Sequence, residues 1–322
     1  MTHIALPRFN KALVTGGAGF IGSHIVSVLV DMRCPVIVVD NLNTGKKENL
    51  DHLGDRIEFV TGDIRDKDLM IQCAQDCDVV FHQAAVVSVP KSVEDPIGSA
   101  RVNDMGTLMV LEAARQAGVN RVVLASSSAV YGEEPTLPKT EEMRPEPKSP
   151  YALQKWIDEQ WAELYQSLYG LETACLRYFN VYGPRQDPGS PYSGVISIFM
   201  DRAVSGKSPY IYGDGEQTRD FVYVEDVVKA NLLAATAKLK SNRIFNIGTG
   251  HRVSIRRLWE TIAQLTKSDV QAHYAPERFG DIRHSVADIG LARQGIGFFP
   301  SFDFEEGISL TKEWYLRNRP II

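Results

Sequence analysis

The string at residues 16–22, Gly-Gly-Ala-Gly-Phe-Ile-Gly, narrows the folds open to this chain more than any other feature. It follows an apolar run at 11–15 (KALVT) and precedes Ile21, Ile25, Val28, Leu29 and Met32, whose spacing gives a helix one apolar face. The cluster satisfies both GxxGxxG and GxGxxG. Glycines there permit a tight turn and let the backbone approach a pyrophosphate at the helix N-terminus, where free N–H groups and the dipole favour negative charge. By itself a glycine cluster marks only a strand–helix turn, but two further features point to a dinucleotide. Asp40 closes the next apolar run (VIVV, 36–39), where a carboxylate about 20 residues on accepts from both ribose hydroxyls. It would repel a 2′-phosphate and no arginine follows it immediately, so the pattern predicts NAD rather than NADP. Gly62-Asp63-Ile64 ends the third run, placed for the adenine edge.

Apolar runs at 57–60, 79–82, 122–125 and 173–177 continue the alternation, with helical stretches such as 107–116 and 152–169 between them. Such strands predict a parallel sheet covered on both faces, an α/β Rossmann-type doubly wound fold. Beyond residue 180 the pattern loosens. Residues 183–194, rich in Pro, Gly and Ser, read as a long loop. A helix at 196–205, strands near 210–212, 220–224 and 244–247, and an amphipathic helix at 255–266 follow. The expected division is an NAD-binding domain from 1–180 and 220–250, and a smaller α/β substrate-binding lobe from 181–219 and 251–322.

The net charge of −5 argues against a nucleic-acid or membrane-surface partner, while leaving room for a locally basic pocket. No signal-peptide core and no run of 18 apolar residues is found, which fits a cytoplasmic protein. Cys34, Cys73, Cys77 and Cys175 are poorly spaced for zinc or a disulfide framework, and the histidines form no HxH or HxxxH pair. No metal site is expected, and small buried thiols in a reducing compartment are.

Ser149-Pro150-Tyr151-Ala152-Leu153-Gln154-Lys155 sets Tyr151 and Lys155 four apart behind a serine N-cap and a proline at N1. The two then share one helix face. An ammonium beside a phenol favours the phenolate, lowering a pKa of about 10 toward the range a general base needs. Taken alone, Tyr-x-x-x-Lys is common and means a packed tyrosine with a solvated lysine. Here the run at 122–125 also delivers Ser126-Ser127-Ser128 to the carboxyl end of a strand, the edge where open α/β sheets bind ligands. A hydroxyl there is placed to relay a proton.

TGGAGFIG (15–22), GDIRD (62–66), HQAA (82–85), SSSAVYG (126–132), SPYALQK (149–155), RYFNVYGPRQDP (177–188) and TRDFVYVEDV (218–227) resemble the NAD-dependent epimerase/dehydratase family, in the family's order and over nearly the whole chain. Within it the likeness is to UDP-N-acetylglucosamine and UDP-glucose 4-epimerases. The resemblance implies that Tyr151 is base and acid on the sugar 4-hydroxyl and that Lys155 binds the nicotinamide ribose. Counting four back from Tyr131 of the VYG string implies Ser127 as the catalytic serine, with its neighbours in the triplet left open. It implies further cofactor contacts from Gly16, Gly19, Phe20, Ile21 and Gly22, and from Asp40, Asn41, Thr44 and Gly45. Asp63, Ile64, Gln83, Ala84 and Ala85 join them, with Asn103, Tyr178 and Phe179. Asn103 also corresponds to an asparagine that steadies the active-site main chain. For the substrate it implies Asn180, Arg219 and Arg278 on the diphosphate, where guanidinium suits an anion, and Asp281 near the nucleoside ribose. Ser88, Ser128, Gly194, Val195, Tyr210, Tyr212 and Ser285 complete that set. The stretches 107–116 and 152–169 correspond to helices that pair across a homodimer in this fold.

Dehydratases of the family resemble one another in an acidic pair directly after the catalytic serine or threonine; here Ser128 and Ala129 stand there, and neither titrates. Decarboxylases of UDP-glucuronate place a glutamate in the same stretch, also missing. Oxidation at C4, rotation of the 4-keto sugar and return of the hydride remain: a 4-epimerase. The alternatives are another nucleotide-sugar oxidoreductase, dehydratase or decarboxylase of the family, and a non-catalytic NAD-binding sensor; the presence of both Tyr151 and Lys155 speaks against the sensor. Epimerases restricted to UDP-glucose and UDP-galactose carry a bulky tyrosine four after the aspartate of their RxGD string. Four after Asp281 this chain has Ser285, which leaves room for a 2-acetamido group. Val87 stands where the similar enzymes have glycine, a departure that bears on the fit of the sugar.

Overall fold

The structure is a computed structural model that describes residues 9–187, 194–239, 243–277 and 282–318. In the first half β1 (Ala12–Thr15), β2 (Val36–Asp40), β3 (Glu58–Thr61), β4 (Val79–His82), β5 (Arg121–Ser127) and β6 (Glu172–Tyr178) alternate with helices. These are α1 (Phe20–Asp31), α2 (Lys67–Ala74), α3 (Val89–Glu94), α4 (Pro96–Ala117) and α5 (Pro150–Tyr169). The second half supplies β7 (Asn180–Tyr182), α6 (Val195–Val204), β8 (Tyr210–Tyr212), β9 (Thr218–Arg219), β10 (Phe221–Tyr223) and α7 (Val224–Thr236). Then come β11 (Ile244–Ile247), β12 (Val253–Ser254), α8 (Ile255–Thr266), β13 (His273–Ala275), α9 (Gly290–Ile296) and α10 (Phe304–Arg317).

Seven strands form one parallel sheet in the order β11-β6-β5-β4-β1-β2-β3. β1, β2 and β4 are buried at every residue because helices cover both faces; β3, at the edge, is not. One face packs Val14, Val38 and Phe81 under Ile25 and Leu29 of α1 and Val227 and Ala230 of α7. The other packs Leu13, Val39 and Val80 under Met70 of α2, Val110 and Leu111 of α4, and Ala162 and Tyr165 of α5. The chain leaves β1 toward β2 on one side and returns as β4 on the other, so a crevice opens at the carboxyl ends of β1 and β4.

The smaller lobe has its own core, in which Phe199 and Met200 of α6 meet Leu258, Trp259 and Ile262 of α8 and Tyr182 of β7. Ile255, Leu258, Trp259 and Ile262 recur at helical spacing, and the Ser254 hydroxyl caps α8 by accepting from Arg257 N at 3.1 Å. The chain after β7 is pinned to the first half. Pro184 O lies 3.0 Å from His24 Nε2, and Asp187 pairs with Lys46 at 2.9 Å.

The strand expected at 220–224 is the three-residue β10, followed at once by a helix that the sequence pattern does not announce. α7 starts from Tyr223 with no side-chain cap. Its start signal is missing, and the apolar strand runs straight into apolar helix. α4 begins eleven residues before the stretch read as helical, because Asp95 caps it by accepting from Gly98 N at 2.8 Å and Pro96 sits in its first turn. α5 starts as the sequence indicates, with Ser149 Oγ accepting from Ala152 N at 3.2 Å. All four cysteines are free and buried, and burial raises Cys34 to about 11 and Cys77 to about 12, so both stay protonated thiols.

Candidate active site

The glycine turn lies over the crevice. Gly16 has φ +67°, and a Cβ on it would sit 2.7 Å from Ala84 N, so the turn leaving β1 passes against the strand end of β4. A Cβ on Gly22 would fall 2.2 Å from Gly16 O, so the helix comes down directly on the turn. α1 starts at Gly19 without a side-chain cap, which leaves its first N–H groups for an anion. Asp40 is buried beside it, with Ala18 N donating to Oδ2 at 3.0 Å and Leu42 N to Oδ1 at 2.8 Å. Burial raises its pKa and the two main-chain donors oppose that rise. Each oxygen keeps a lone pair for a ribose hydroxyl, and Gly45 lies so close that a Cβ would meet Oδ1 at 2.7 Å. Asp63 stands next to Asn41, which donates to it at 3.0 Å, and Arg65 grips both carboxylate oxygens at 2.8 Å and holds its pKa far below the usual range. Turn, open helix end and acidic ribose partner together fit an adenine dinucleotide.

Other residues expected at the cofactor are more deeply committed. Ile64 is buried under α4, and a Cβ on Gly106 would strike it at 2.5 Å. Gln83 is held by Tyr178 Oη, which donates at 3.2 Å, and itself donates to Asn231 at 3.2 Å. Phe179 packs with Tyr131 and Ile289 in a small core. Asn103 is fully buried and clamps the main chain of Val86, accepting from its N at 2.8 Å and donating to its O at 3.0 Å. Its amide also donates to Gln154 at 2.7 Å, so its service is to the backbone after β4. Thr44 is exposed and Ala85 half-buried beyond β4, while Phe20 and Ile21 lean against the smaller lobe's core.

Tyr151 sits half-buried in the first turn of α5, its N–H donating to the buried Ser92 hydroxyl at 3.1 Å. Lys155 is buried one turn below. Burial alone would depress the lysine, but the charges of Asp158 and Tyr151 outweigh it and hold its pKa above the ordinary value. Among the three serines, Ser126 is buried and donates to Glu159 at 2.5 Å, so it belongs to the scaffold. Ser127 is half-buried at the end of β5, where Ala129 N donates to its hydroxyl at 3.2 Å, and Ser128 opens the short 3₁₀ turn that follows and packs on α5. Glu159 in turn binds Arg177 through two contacts of 2.8 Å, and Arg177 donates to Tyr131 Oη at 2.9 Å. This buried group ties α5 to β5 and β6 under the serines. Sequence reasoning missed it, although an acid pair next to Lys155, on the apolar face of a helix, is the trace it leaves.

The substrate side is assembled differently. Asn180 opens β7 at the surface, and its N–H donates to Asp220 O, the residue after Arg219, at 3.0 Å. Ser285 N donates to Thr218 O at 3.1 Å, so Ser285 lies across from the same strand. Asp220, also absent from the sequence expectations, staples the region from beneath. Its carboxylate accepts from Thr249 N, Gly250 N and Ala287 N at 2.8, 3.0 and 3.1 Å. Gly194 begins α6 with no side-chain cap, and Val195 is its first residue. Tyr210 and Tyr212 end β8, Tyr210 being exposed with its ring against His273. Ser88 caps α3 through Lys91 N at 3.1 Å, next to Val87, whose side chain is 68 % exposed. Arg278 and Asp281 lie outside the described residues.

The sequence profile of the NAD dependent epimerase/dehydratase family matches residues 12–248. A UDP-glucose 4-epimerase of Mycolicibacterium smegmatis is 42% identical over 313 residues, 96% of this chain and 99% of that protein. A UDP-N-acetylglucosamine 4-epimerase from Methanobrevibacter ruminantium, solved in complex with UDP-N-acetylmuramic acid, superposes with a TM-score of 0.93 at 42% identity, covering 97% of this chain and all of that one (100%). A UDP-glucose 4-epimerase of Thermus thermophilus, solved with NAD, gives a TM-score of 0.88 at 40% identity over 96% of this chain and 100% of that chain. With the glycine turn over the β1–β4 crevice and Tyr151 and Lys155 stacked on α5, the chain belongs to the NAD dependent epimerase/dehydratase family.

Proposed function

We propose that this NAD-dependent 4-epimerase of UDP-sugars acts on UDP-N-acetylglucosamine and UDP-N-acetylgalactosamine, and also accepts UDP-glucose and UDP-galactose. The observation that carries the acetylated choice is Ser285, a small half-buried residue set by its backbone against the Thr218–Arg219 strand. A tyrosine there would take the space that a 2-acetamido group needs. The solved relative named for UDP-N-acetylglucosamine and the relatives named for UDP-glucose support the pair of substrates.

In this reading Tyr151 takes the proton of the sugar 4-hydroxyl and later returns it. Lys155 supplies the positive charge beside the phenol and a donor for the nicotinamide ribose, and Ser127 hands the proton between sugar and Tyr151. The glycine turn and Asp40 would hold NAD, which would supply the hydride acceptor for C4 and the donor for its return to the opposite face of the sugar. Asn180 and Arg219 hold the diphosphate while the hexose turns, so the same anchor serves both orientations. Proton and hydride both return, and no net redox change occurs.

The chain pairs as a homodimer through α4 and α5, whose outer faces expose Ile97, Met105, Leu153, Leu164 and Leu168. Five apolar side chains on two adjacent helices form the kind of patch that soluble proteins cover. Incubation with each UDP-hexose, followed by mass spectrometry and proton NMR, tests the activity. A product of unchanged mass with C4 inverted is expected from the acetylated sugar; a loss of water or carbon dioxide, or no product from any UDP-sugar, would refute it.

A further inference from the structure

Lys155 Nζ lies 3.1 Å from Asp158 Oδ2, and both side chains are 3% exposed. A lone buried carboxylate is costly, and this one is held by more than the lysine. The Thr107 side chain of α4 also faces it and favours its ionised form. Thr107 Oγ1 is 2.9 Å from His82 Nε2, and His82 Nδ1 is 2.7 Å from Thr15 Oγ1, with all three residues buried. His82 is pushed down to about 3, first by burial and then by Lys155, so it stays neutral. Its protonation pattern follows from the ends of the line. If Thr107 donates to Asp158, it must accept from His82 Nε2–H, and His82 Nδ1 then accepts from Thr15. The line ends at Thr15, the residue that precedes Gly16.

We propose that Asp158 is a positioning residue for the epimerase reaction: its buried carboxylate clamps the Lys155 ammonium beneath Tyr151, facing Thr107, which is itself bonded through His82 to Thr15 at the strand end carrying the glycine turn. The inference rests on the reading of Lys155 as the charge that serves Tyr151. The groups facing Asp158 are Lys155 and Glu159 from its own helix and Thr107 and Asp104 from α4, with Cys175 of β6 behind. Asp158 Oδ1 is buried without a hydrogen-bond partner, and among the described residues Lys155 is the one cation bonded to Asp158, through Oδ2. Removing the carboxylate leaves an ammonium whose burial favours its neutral form.

The test compares Asp158→Asn, Thr107→Val and Lys155→Met as NAD-bound enzymes, measuring kcat and KM for the UDP-sugar across neutral and alkaline pH. Asp158→Asn should lower kcat roughly 10- to 100-fold, the scale of one hydrogen bond to a charged group. KM should stay within about threefold, because the diphosphate anchor is untouched. The alkaline fall of kcat should begin at least about one pH unit earlier than in the wild type, because the lysine gives up its proton sooner. Thr107→Val should shift both quantities in the same direction by less. Wild-type kcat in Asp158→Asn overturns the proposal, and so does a reduced kcat whose alkaline limb has not moved, since packing alone would do that. Should Asp158→Asn fail to fold, wild-type kcat and pH profile in Thr107→Val overturn it instead. Full turnover in Lys155→Met would show that the reading of the lysine has failed, whereas loss there with none in Asp158→Asn defeats only the present inference.

Discussion

The floor of the site and its rim are built by opposite means. Under Tyr151 the side chains are buried and already bonded to one another: Glu159 to Arg177, Lys155 to Asp158, His82 to two threonines. At the rim, Asn180, Ser285 and Tyr210 are half-buried or exposed on short two-stranded ladders and loop segments, held in place through backbone bonds and the Asp220 staple. The floor has to keep charges at fixed positions in a medium of low dielectric, where an unpaired one is costly. In the proposed function the rim binds one diphosphate while the hexose above it takes two orientations, and shape then matters there more than buried charge. Changes in the floor should therefore act on kcat or on folding, and changes at the rim on the choice of sugar.

The sharpest cut through this contrast is Tyr151→Phe. The ring still packs in the first turn of α5, so NAD retention and thermal stability should hold. Turnover should fall by about 10²–10⁴-fold, the usual worth of a general acid–base group. Near wild-type rates in a steady-state assay would move the base elsewhere.

Glu159→Gln attacks the floor without touching the sugar. It keeps the shape but leaves the Arg177 guanidinium buried with no carboxylate, and breaking such a pair by removing one partner costs about 3–5 kcal/mol. Denaturant unfolding should show that loss. A variant as stable as the wild type would mean that the buried group is not the strut described here.

At the rim, Ser285→Tyr should leave stability alone and change specificity. Overpacking costs about 1–3 kcal/mol, or roughly 5- to 150-fold in kcat/KM if the clash is felt in the complex. The loss should fall on UDP-N-acetylglucosamine and spare UDP-glucose, measured on one preparation. An unchanged ratio between the two sugars would remove Ser285 as the gate and blur the division between floor and rim.

Much of this was legible in the residues themselves. The glycine turn, Asp40 at the end of the second strand, and Tyr151 and Lys155 behind a Ser-Pro start are local patterns, because a turn, a cap and a helix face each span only a few residues. The alternation of apolar runs with helical stretches likewise determined a parallel sheet covered on both faces, and the structure has it. What tertiary structure decided is which polar groups meet. Thr15, His82, Thr107 and Asp158 come from four separate elements and converge only because β1 lies beside β4 and α4 and α5 pack over them. Ser126 and Ser127 are neighbours in a run of identical residues, yet the pleat of β5 sends one to Glu159 and leaves the other at the strand end. Successive side chains on a strand point to opposite faces, and what waits at each face is set by parts of the chain far away in sequence.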